Sequence, residues 1–502
     1  MLICSFFPPY SNAKDALSDY ISSPSFSNRS AARQDTLSWI VPHILPFTGA
    51  RSGCAENVSH DVLLPAHTIR EVNVMKSVWQ ETDLPQFPQL DGDIRTDVLI
   101  IGGGIAGILT AYFLRQNGIK YMLVEKDRIC GENTRNTTAK ITVQHGLIYH
   151  KLLRRGGESA AKQYFRANTA AFDRYAELCR TVQCDYEIKD NFVYSDDSRK
   201  LEKEMDALQK IGYRAEFCRE LPLPIKTAGA VRFPGQAQFH PLKFLAGIAD
   251  GLNIYEHTFV REMIGCTAVT DRGRITADRV VCATHFPFIN KHGGYFLKLY
   301  QSRGYVIALE NGPDVGGMYV DERDEGMSFR NCGGLLLLGG GGGRTGGKNG
   351  AWTELRDFAQ QHYPQSRETF FWAAQDCMSL DGMPYCGLYS RRTPAFYVET
   401  GFNKWGMTSS MLSAMIVSDL LLGRENEFAE LFDPSRSILQ PQLLVNGFEA
   451  VKNLLTPSKR VCPHMGCALK WNTAEHSWDC PCHGSRFSED GKVLNNPANG
   501  DL

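Results

Sequence analysis

The sequence predicts an α/β fold: a three-layer domain that carries an inserted α+β domain and is followed by a small β-rich domain. Three observations lead to this prediction: a glycine-rich strand–turn–helix near residue 100, a long helical pattern at residues 160–183, and a group of Cys and His residues beyond residue 460. A chain of 502 residues is long enough for two or three domains. The formal net charge of −1 gives no reason to expect nucleic-acid binding. We expect no membrane-spanning helix, because the longest apolar run contains four glycines.

The first 74 residues are rich in Ser, Ala and Asn and show weak periodicity, which is typical of a disordered segment. Met75 is an alternative start, because Arg70-Glu71-Val72 can be encoded by a purine-rich sequence of the kind that binds ribosomes. We therefore expect residues 1–74 to be a disordered leader that comes from translated upstream DNA. A genuine disordered extension is the alternative, and the intact mass of the native protein would distinguish the two.

The glycine-rich segment predicts a dinucleotide site. The apolar residues 98–101 indicate a buried strand, which is followed by the pattern Gly102-x-Gly104-x-x-Gly107 and a helix. Glycines at these positions allow a tight turn, close approach of the backbone to a pyrophosphate, and close packing of the helix on the strand. The helix N-terminus offers N–H donors to phosphates, and Glu125, at the end of the next strand, is placed to bind ribose hydroxyls. This pattern alone leaves FAD and NAD open.

Two short loops near the C-terminus contain Cys462-x-His464 and Cys480-x-x-His483, and each offers one thiolate and one imidazole. Such a set of ligands also suits zinc, and unpaired core cysteines are a further alternative. The pattern resembles the Rieske proteins, in which two Cys bind one iron of a [2Fe–2S] cluster and two His bind the other. The resemblance implies that the cluster ligands are Cys462, His464, Cys480 and His483.

The same resemblance implies further features of this domain. Cys467 and Cys482 occupy the positions of the family's disulfide, and Ser485 occupies that of a hydroxyl donor to a bridging sulfide. Phe487 stands where quinol-oxidising members have a Tyr that donates to a ligand sulfur. We therefore expect a potential in the middle of the family's range of about −150 to +300 mV. Residues 445–460 read as helical where the family has β-strands, and the chain ends where the family usually continues, so we expect a shortened scaffold.

Later segments decide between the two dinucleotides. The stretches GENTRNTTAKITVQHG, from residue 131, GQAQFHPLKFLAGIA, from residue 235, and VETGFNKWGMTSSM, from residue 398, resemble segments of the D-amino-acid-oxidase-like flavoproteins. The resemblance covers roughly residues 95–437 and implies FAD. It is strongest with the bacterial FAD-dependent oxidoreductases of this family that carry a C-terminal Rieske domain. Asn136 stands where some relatives link FAD through a His, so we expect non-covalent FAD.

The resemblance also implies a set of FAD-binding residues and a division into domains. The FAD-binding residues are expected to be Gly102, Gly104, Gly107, Glu125, Lys126, Thr137, Thr138, Lys140, Val260, Gly401, Gly406 and Met407. The oxidoreductase domain is expected at residues 75–440, with FAD segments at about 95–150, 225–285 and 380–437. The substrate domain is expected at about 151–224 and 286–379, and the Rieske domain at 445–502.

The two cofactors imply a function. We expect the flavin to accept a hydride from a carbon bonded to the nitrogen of a small amine or amino-acid-like substrate, and the cluster to carry single electrons onward. We therefore expect a dehydrogenase whose external electron acceptor is another redox protein or a quinone. Fifteen cysteines without framework spacing fit a cytoplasmic protein, which would be peripheral at the membrane only through its acceptor. A flavin oxidase with an inert Rieske remnant, and a non-enzymatic electron-transfer or redox-sensing module, are the alternatives.

Three residues are candidates for catalysis. Lys140 is expected to reach the N5 side of the flavin, with a surface ion pair as the alternative. Arg303 and Tyr305 are candidates for the substrate pocket, since an Arg fork suits a carboxylate; for Arg303 the alternative is a salt bridge within a strand.

Other patterns are expected to be structural. A second glycine pattern, at residues 341–346, follows an apolar strand but lacks the acid that would end a following strand, so we expect a strand and turn rather than an NADH site. His145 and His150 match half of a non-haem iron triad, but the expected acid is missing. The isolated His285 is expected to be a core or surface histidine.

Overall fold

The computed structural model describes residues 75–289 and 292–502, so the predicted leader at residues 1–74 lies outside the described residues. Nine α-helices are present in the described ranges: α1 (Ile105–Gln116), α2 (Tyr149–Leu178), α3 (Ser198–Lys210), α4 (Pro241–Ala249), α5 (Tyr295–Lys298), α6 (Ala351–His362), α7 (Gly406–Leu421), α8 (Ala429–Phe432) and α9 (Pro441–Leu455). The strands of the first large sheet are β1 (Ile94–Ile101), β2 (Tyr121–Val124), β7 (Ile254–Tyr255), β8 (Val260–Ile264), β9 (Thr267–Thr270), β10 (Arg274–Cys282), β16 (Tyr385–Leu388) and β17 (Phe396–Thr400). Those of the second are β3 (Lys140–Ile141), β4 (Glu187–Ser195), β5 (Glu216–Cys218), β6 (Gly229–Gln238), β11 (Leu299–Glu310), β12 (Met318–Asp321), β13 (Ser328–Cys332), β14 (Leu335–Arg344) and β15 (Arg367–Ser379). A small third sheet contains β18 (Lys470–Asn472), β19 (Ser477–Asp479), β20 (Arg486–Ser488) and β21 (Val493–Asn495).

The first sheet has the strand order β16-β17-β10-β1-β2-β7, and the hairpin β8–β9 joins it at β10. β1 pairs in parallel with both β2 and β10. Successive side chains of a strand point to opposite faces. Val98 and Ile100 therefore pack in the core shared with α1 and α7, whereas Leu99 and Ile101 pack in the core shared with β8 and β9. Helices, sheet and hairpin are three layers, which confirms the predicted three-layer domain.

The second sheet has the strand order β15-β11-β14-β13-β12-β4-β6-β3, with β5 beside β6. Helix α6 packs on β11 and β14, and α3 packs on β4 and β6. β14 contains the start of the second glycine pattern, so this pattern forms the predicted strand and turn. β6 lies in this sheet and pairs with β4, although we expected an FAD segment from about residue 225. The pairing of β6 depends on distant residues that local sequence does not reveal, and the domain boundaries stay predictions.

The small third sheet is antiparallel, with the order β18-β19-β20-β21. It follows α9, which confirms the helical reading of residues 445–460 as far as Leu455. The architecture is thus an α/β domain with an α+β insertion and a small β-rich C-terminal domain. Among the helices of the described ranges, none combines the length and the apolar character needed to cross a membrane.

Candidate active site and cluster site

A cavity of about 590 Å³ is lined by residues of both large sheets. It runs from the glycine turn after β1 to the strands β11 and β14. The small C-terminal domain also contributes to the wall, through Val493, Asn496, Ala498 and Asn499. All three parts of the chain therefore meet at one cavity.

The glycine turn is shaped for close backbone approach. A Cβ on Gly102, whose φ is +115°, would lie 2.5 Å from the carbonyl oxygen of Ala283, and a Cβ on Gly107 would lie 2.1 Å from the carbonyl oxygen of Gly102. Both obstacles are backbone atoms that cannot rotate away. Gly104 caps α1 and lines the cavity, so the first amides of the helix lie beside space of the kind a pyrophosphate occupies. The residues present thus fit the dinucleotide part of FAD.

Glu125 ends β2 and lies against the glycine turn. Its carboxylate accepts hydrogen bonds from the backbone N–H of Gly103 at 2.7 Å and from that of Asp127 at 3.1 Å. Burial raises the pKa of Glu125 to about 7, although both hydrogen bonds oppose the rise. Glu125 lines the cavity, so a ribose hydroxyl bound there would donate a further hydrogen bond to this buried carboxylate.

Ten of the twelve predicted FAD-binding residues line the cavity. The two exceptions lie behind its wall: Gly107 packs under the glycine turn, and Gly401, with a φ of +73°, packs against Leu299, Ser379 and Tyr385. Lys126 is held by an ion pair to Glu132, at 2.5 Å. Most of the predicted FAD-binding residues therefore lie around one cavity, and their individual contacts to FAD stay predictions.

Lys140 lies in the wall of the cavity, where its Nζ donates to Thr138 Oγ1 at 3.1 Å. Burial, together with the charge of Arg330, lowers the pKa of Lys140 to about 7. Arg330 itself is fully buried and donates to the carbonyl oxygens of Thr138 and Ala139. An amine with a pKa near 7 exchanges protons readily at neutral pH, so Lys140 remains a candidate for proton transfer. Tyr305 also lines the cavity, and burial raises its pKa to about 12, so it keeps its proton.

Arg303 does not line the cavity, and its salt bridge matches the alternative that the sequence left open. Its guanidinium group forms a two-pronged ion pair with Glu475 of the small domain, in which Nε donates to Oε1 at 2.8 Å and Nη2 donates to Oε2. Tyr305, two residues further along β11, lies on the same face and also forms a hydrogen bond with Glu475. Arg303 thus joins two domains, a contact that local sequence does not reveal.

Other side chains of the second sheet hold the loop that contains Cys480 and His483. Gln301 donates to the carbonyl oxygen of His483 at 2.8 Å, and Gln375 donates to that of Gly484 at 2.8 Å. Arg344 donates to the carbonyl oxygens of Pro481, at 2.8 Å, and Cys482, at 3.0 Å. Four successive carbonyls of this loop are therefore held by donors from β11, β14 and β15. We call this set of contacts the loop clasp.

The ion pair of Glu475 predicts a pH dependence of stability. Burial raises the pKa of Glu475, but the charges of Arg303 and Arg486 outweigh it and lower the pKa from its ordinary 4.5 to about 2. As the pH falls below 4.5, the unfolded chain binds this proton first, so the stabilisation is complete above 4.5 and is lost between 4.5 and 2. The free energy of unfolding of the wild type should fall toward that of Glu475→Gln by about 1.4 kcal/mol between pH 6 and pH 3.5. Urea unfolding of both proteins at the two pH values measures this, and a constant difference would contradict it.

The four predicted cluster ligands are brought together in the small domain. Cys462 and Cys480 are buried, and the rings of His464 and His483 lie 4.9 Å apart at 89°. His483 Nε2 lies 2.9 Å from the carbonyl oxygen of Phe296, whereas its buried Nδ1 has no hydrogen-bond partner among the described residues. A histidine whose one nitrogen is oriented by a carbonyl and whose other nitrogen is left over is typical of a metal ligand. The residues present therefore fit a [2Fe–2S] cluster of the Rieske type.

The remaining predicted features of this domain lie beside the ligands. The Sγ atoms of Cys467, Cys480 and Cys482 all lie within 4.8 Å of one another. Cys467 and Cys482 are free thiols in the structure, so their disulfide stays a prediction. Ser485 is fully buried, and its Oγ accepts from the N–H of Ala498 at 3.0 Å. Phe487 is fully buried in the core of the small domain and offers no hydroxyl.

The loop at residues 283–286 lies beside both the ligand histidines and the cavity. Its residues 283–285 line the cavity, and the next residue, Phe286, has its ring centroid 6.4 Å from that of His464 and 6.1 Å from that of His483. Asn496 of the small domain donates to the carbonyl oxygens of Thr284 and Phe286, which holds the loop in place. One loop therefore contacts both the cavity and the predicted cluster site.

Sequence reasoning missed several residues of the site. His285 is part of the cavity wall rather than a mere core or surface histidine, and its Nε2 is buried without a hydrogen-bond partner in the described ranges. Thr134 Oγ1 accepts from the N–H of Ile105, at 3.1 Å, and so caps a helix that begins 29 residues earlier. Asp376 lines the cavity, and burial raises its pKa. The positive φ of His285, +65°, is unusual, but it has no signature in the sequence.

Comparison with known proteins gives two family matches. The model of the FAD dependent oxidoreductase (DAO) family matches residues 97–420, and that of the Rieske [2Fe-2S] domain matches residues 437–502. The putative Rieske 2Fe-2S iron-sulfur protein YhfW of Bacillus subtilis (strain 168) is 32% identical, over 84% of this chain and 96% of that protein. In the small domain, 56 residues are 43% identical to the cytochrome b6-f complex iron-sulfur subunit of Nostoc punctiforme, and they cover 11% of this chain and 30% of that subunit.

Solved structures show the same fold for the larger part of the chain. Glycine oxidase from Geobacillus kaustophilus is 18% identical and superposes with a TM-score of 0.59, over 68% of this chain and 99% of that one. L-proline dehydrogenase from P. horikoshii is 16% identical and superposes with a TM-score of 0.58, over 70% of this chain and 98% of that one. At these identities the likeness shows the fold alone.

Proposed function

Because this chain belongs to the FAD dependent oxidoreductase (DAO) family and ends in a Rieske [2Fe–2S] domain, we propose that it is a dehydrogenase of small amines or amino-acid-like compounds. In this proposal electrons pass from the substrate through FAD to the cluster, and leave to an external acceptor that is a redox protein or a quinone. Bound FAD supplies the two-electron chemistry, and the cluster supplies single-electron transfer.

The observation that carries this proposal is the loop at residues 283–286, which contacts both the cavity and the predicted cluster site. Residues 283–285 face the cavity, while the ring of Phe286 lies against His464 and His483. The loop clasp and the buried Arg303–Glu475 pair fix the cluster loops at this place. Such a specific attachment favours a working electron path over an inert remnant, for which neither the position nor the buried contacts would be needed.

The amine class of substrate is supported by the structural neighbours and by one residue. Neighbours named glycine oxidase, L-proline dehydrogenase and L-amino acid deaminase share the fold of this chain. Oxidation at a carbon beside nitrogen requires a neutral amine, so an ammonium substrate must first lose a proton. Lys140 Nζ, with a pKa of about 7 and a place in the cavity wall, is suited to accept that proton at neutral pH.

The proposal is tested with anaerobically purified protein that contains both cofactors. Glycine, proline, sarcosine and simple alkylamines are added one at a time, and flavin absorbance and the electron paramagnetic resonance spectrum are recorded together. We expect at least one of these compounds to bleach the flavin and to produce a Rieske-type signal. The matched control is His483→Ala, which should lose the signal and keep the bleaching.

Other results would overturn the proposal. Bleaching with a cluster that stays oxidised, and with hydrogen peroxide formed in air, would show a flavin oxidase. A flavin that no amine or amino acid bleaches, in a protein whose cluster is reduced by dithionite, would show an electron-transfer or redox-sensing module.

A further inference from the structure

Helix α9 is amphipathic, but its polar face is turned toward the protein and its apolar face toward solvent. Its face toward the protein is centred on the buried polar residues Asn446 and Asn453, seven residues apart. Its opposite face carries large apolar side chains that are exposed to solvent: Leu444, Val445, Phe448, Val451, Leu454 and Leu455. Nothing in residues 75–289 and 292–502 covers this face. We call these six residues the apolar face of α9.

The polar face of α9 is firmly attached to the cluster domain, so its orientation is fixed. Arg344, a member of the loop clasp, donates to Asn446 Oδ1 at 2.9 Å. The N–H of Ala468, next to Cys467, donates to the carbonyl oxygen of Asn453 at 3.0 Å. A rotation that buried the apolar face would break both contacts. The exposed apolar face is therefore a consequence of the fold and not of a loosely placed helix.

Exposed apolar side chains continue on both sides of the helix. Leu439, just before it, is 81% exposed, and Val461 and Met465, on the loop of the first two ligands, are 50% and 38% exposed. Met465 directly follows the ligand His464. Contiguous apolar surface of this kind on a protein marks a site of interaction with a partner or a membrane. Helix α9 lies close to the cluster site, since Cys482 Sγ is 4.0 Å from the carbonyl oxygen of Glu449.

The charges of this segment indicate which partner it meets. Residues 441–470 contain four basic residues, Lys452, Lys459, Arg460 and Lys470, and one acidic residue, Glu449, in a chain whose net charge is −1. All four basic residues are exposed, whereas Glu449 is half-buried and paired with Lys452 at 3.5 Å. Apolar side chains on one face and basic residues around them are typical of helices that lie in the surface of an anionic bilayer. Fifteen residues are too few to span a bilayer, so such a helix lies along it.

We propose that α9 docks this protein onto an anionic lipid surface, with its apolar face in the headgroup region and its basic residues against the lipid phosphates. This docking goes beyond the proposed function and does not depend on the substrate.

The test is co-sedimentation of the full-length protein, with both cofactors bound, with vesicles of phosphatidylglycerol and phosphatidylcholine. We expect binding to vesicles that contain phosphatidylglycerol, and at least tenfold weaker binding to vesicles of phosphatidylcholine alone. The triple variant Leu444→Ser, Phe448→Ser, Leu455→Ser should also bind at least tenfold more weakly. Its three side chains are exposed, so the fold is kept, and retained flavin and cluster absorbance verify this. The matched control is Ile188→Ser with Ile264→Ser, which changes two apolar side chains of similar exposure (59% and 57%) elsewhere and should leave binding unchanged.

Three results would overturn the proposal. The first is absence of sedimentation with anionic vesicles, and the second is sedimentation that the triple variant does not weaken. The third is a dimer in solution, detected by light scattering, that the triple variant dissolves, because a second copy would then be the occupant of the face. Each of these readouts is independent of substrate oxidation, so failure here and failure of the proposed function are distinguishable.

Discussion

The substitution Glu475→Gln is expected to lower the free energy of unfolding of the cluster domain by about 3–5 kcal/mol at neutral pH. The reason is that the buried charge of Arg303 would lose its partner. The Glu475 side chain is 1% exposed, and those of Arg303 and Arg486 are 6% and 5% exposed. Arg486 keeps a second partner, Asp479, at 3.0 Å. Arg303 has no other ion pair within the described residues. The measurement is the free energy of unfolding in urea, followed separately by flavin fluorescence and by cluster absorbance.

Two control variants distinguish the loss of this buried ion pair from the loss of an exposed one. Glu310→Gln removes the charge from an exposed pair with Arg367, where the side chains are 43% and 74% exposed, and should cost less than about 1 kcal/mol. The double variant Arg303→Met, Glu475→Leu replaces the buried pair by apolar side chains of similar size and should recover most of the loss. If Glu475→Gln costs no more than Glu310→Gln, the ion pair does not hold the cluster domain.

The substitution Gly107→Ala is expected to weaken FAD binding by about 100-fold or more, which corresponds to roughly 2.7 kcal/mol. The added Cβ would lie 2.1 Å from the carbonyl oxygen of Gly102 and 3.3 Å from Ile100 Cγ2. Helix α1 must then move away from the glycine turn, which disturbs the amides that meet the pyrophosphate. The measurement is the flavin content of the purified protein, together with the FAD concentration needed to restore it.

The control for Gly107→Ala is Gly447→Ala, on α9, where an added Cβ meets nothing within 4 Å. That variant should keep a full complement of flavin. Retained cluster absorbance in Gly107→Ala would show that the small domain is still folded. A Gly107→Ala protein with one tightly bound flavin per chain would contradict the prediction.

Much of the site could be predicted because its chemistry is local in sequence. The glycines after β1 and the acid at the end of β2 lie within one strand–turn–helix–strand unit, and the cluster ligands lie in two loops with fixed internal spacing. Local spacing of this kind determines local geometry. Ten of the twelve FAD-binding candidates line one cavity, and the two predicted ligand histidines lie side by side at the other site, while their roles stay predictions.

The features that the sequence did not predict all depend on contacts between distant segments. The sequence left Arg303 open between the substrate pocket and a salt bridge, and its ion-pair partner is 172 residues away. β6 was assigned to the FAD segment, but it pairs with β4 in the other sheet. The role of His285 depends on how one domain packs against another. No pattern within a short window of sequence contains that information.

The loop clasp consists of side chains that bind main-chain carbonyl oxygens and not the side chains of the loop. It therefore recognises the shape of the loop backbone and is indifferent to most residues placed on it. Phe487, in contrast, lies in the interior of the small domain and makes no part of the clasp. Residues in the interior of the small domain can consequently be exchanged without breaking the contacts that attach this domain to the rest of the protein.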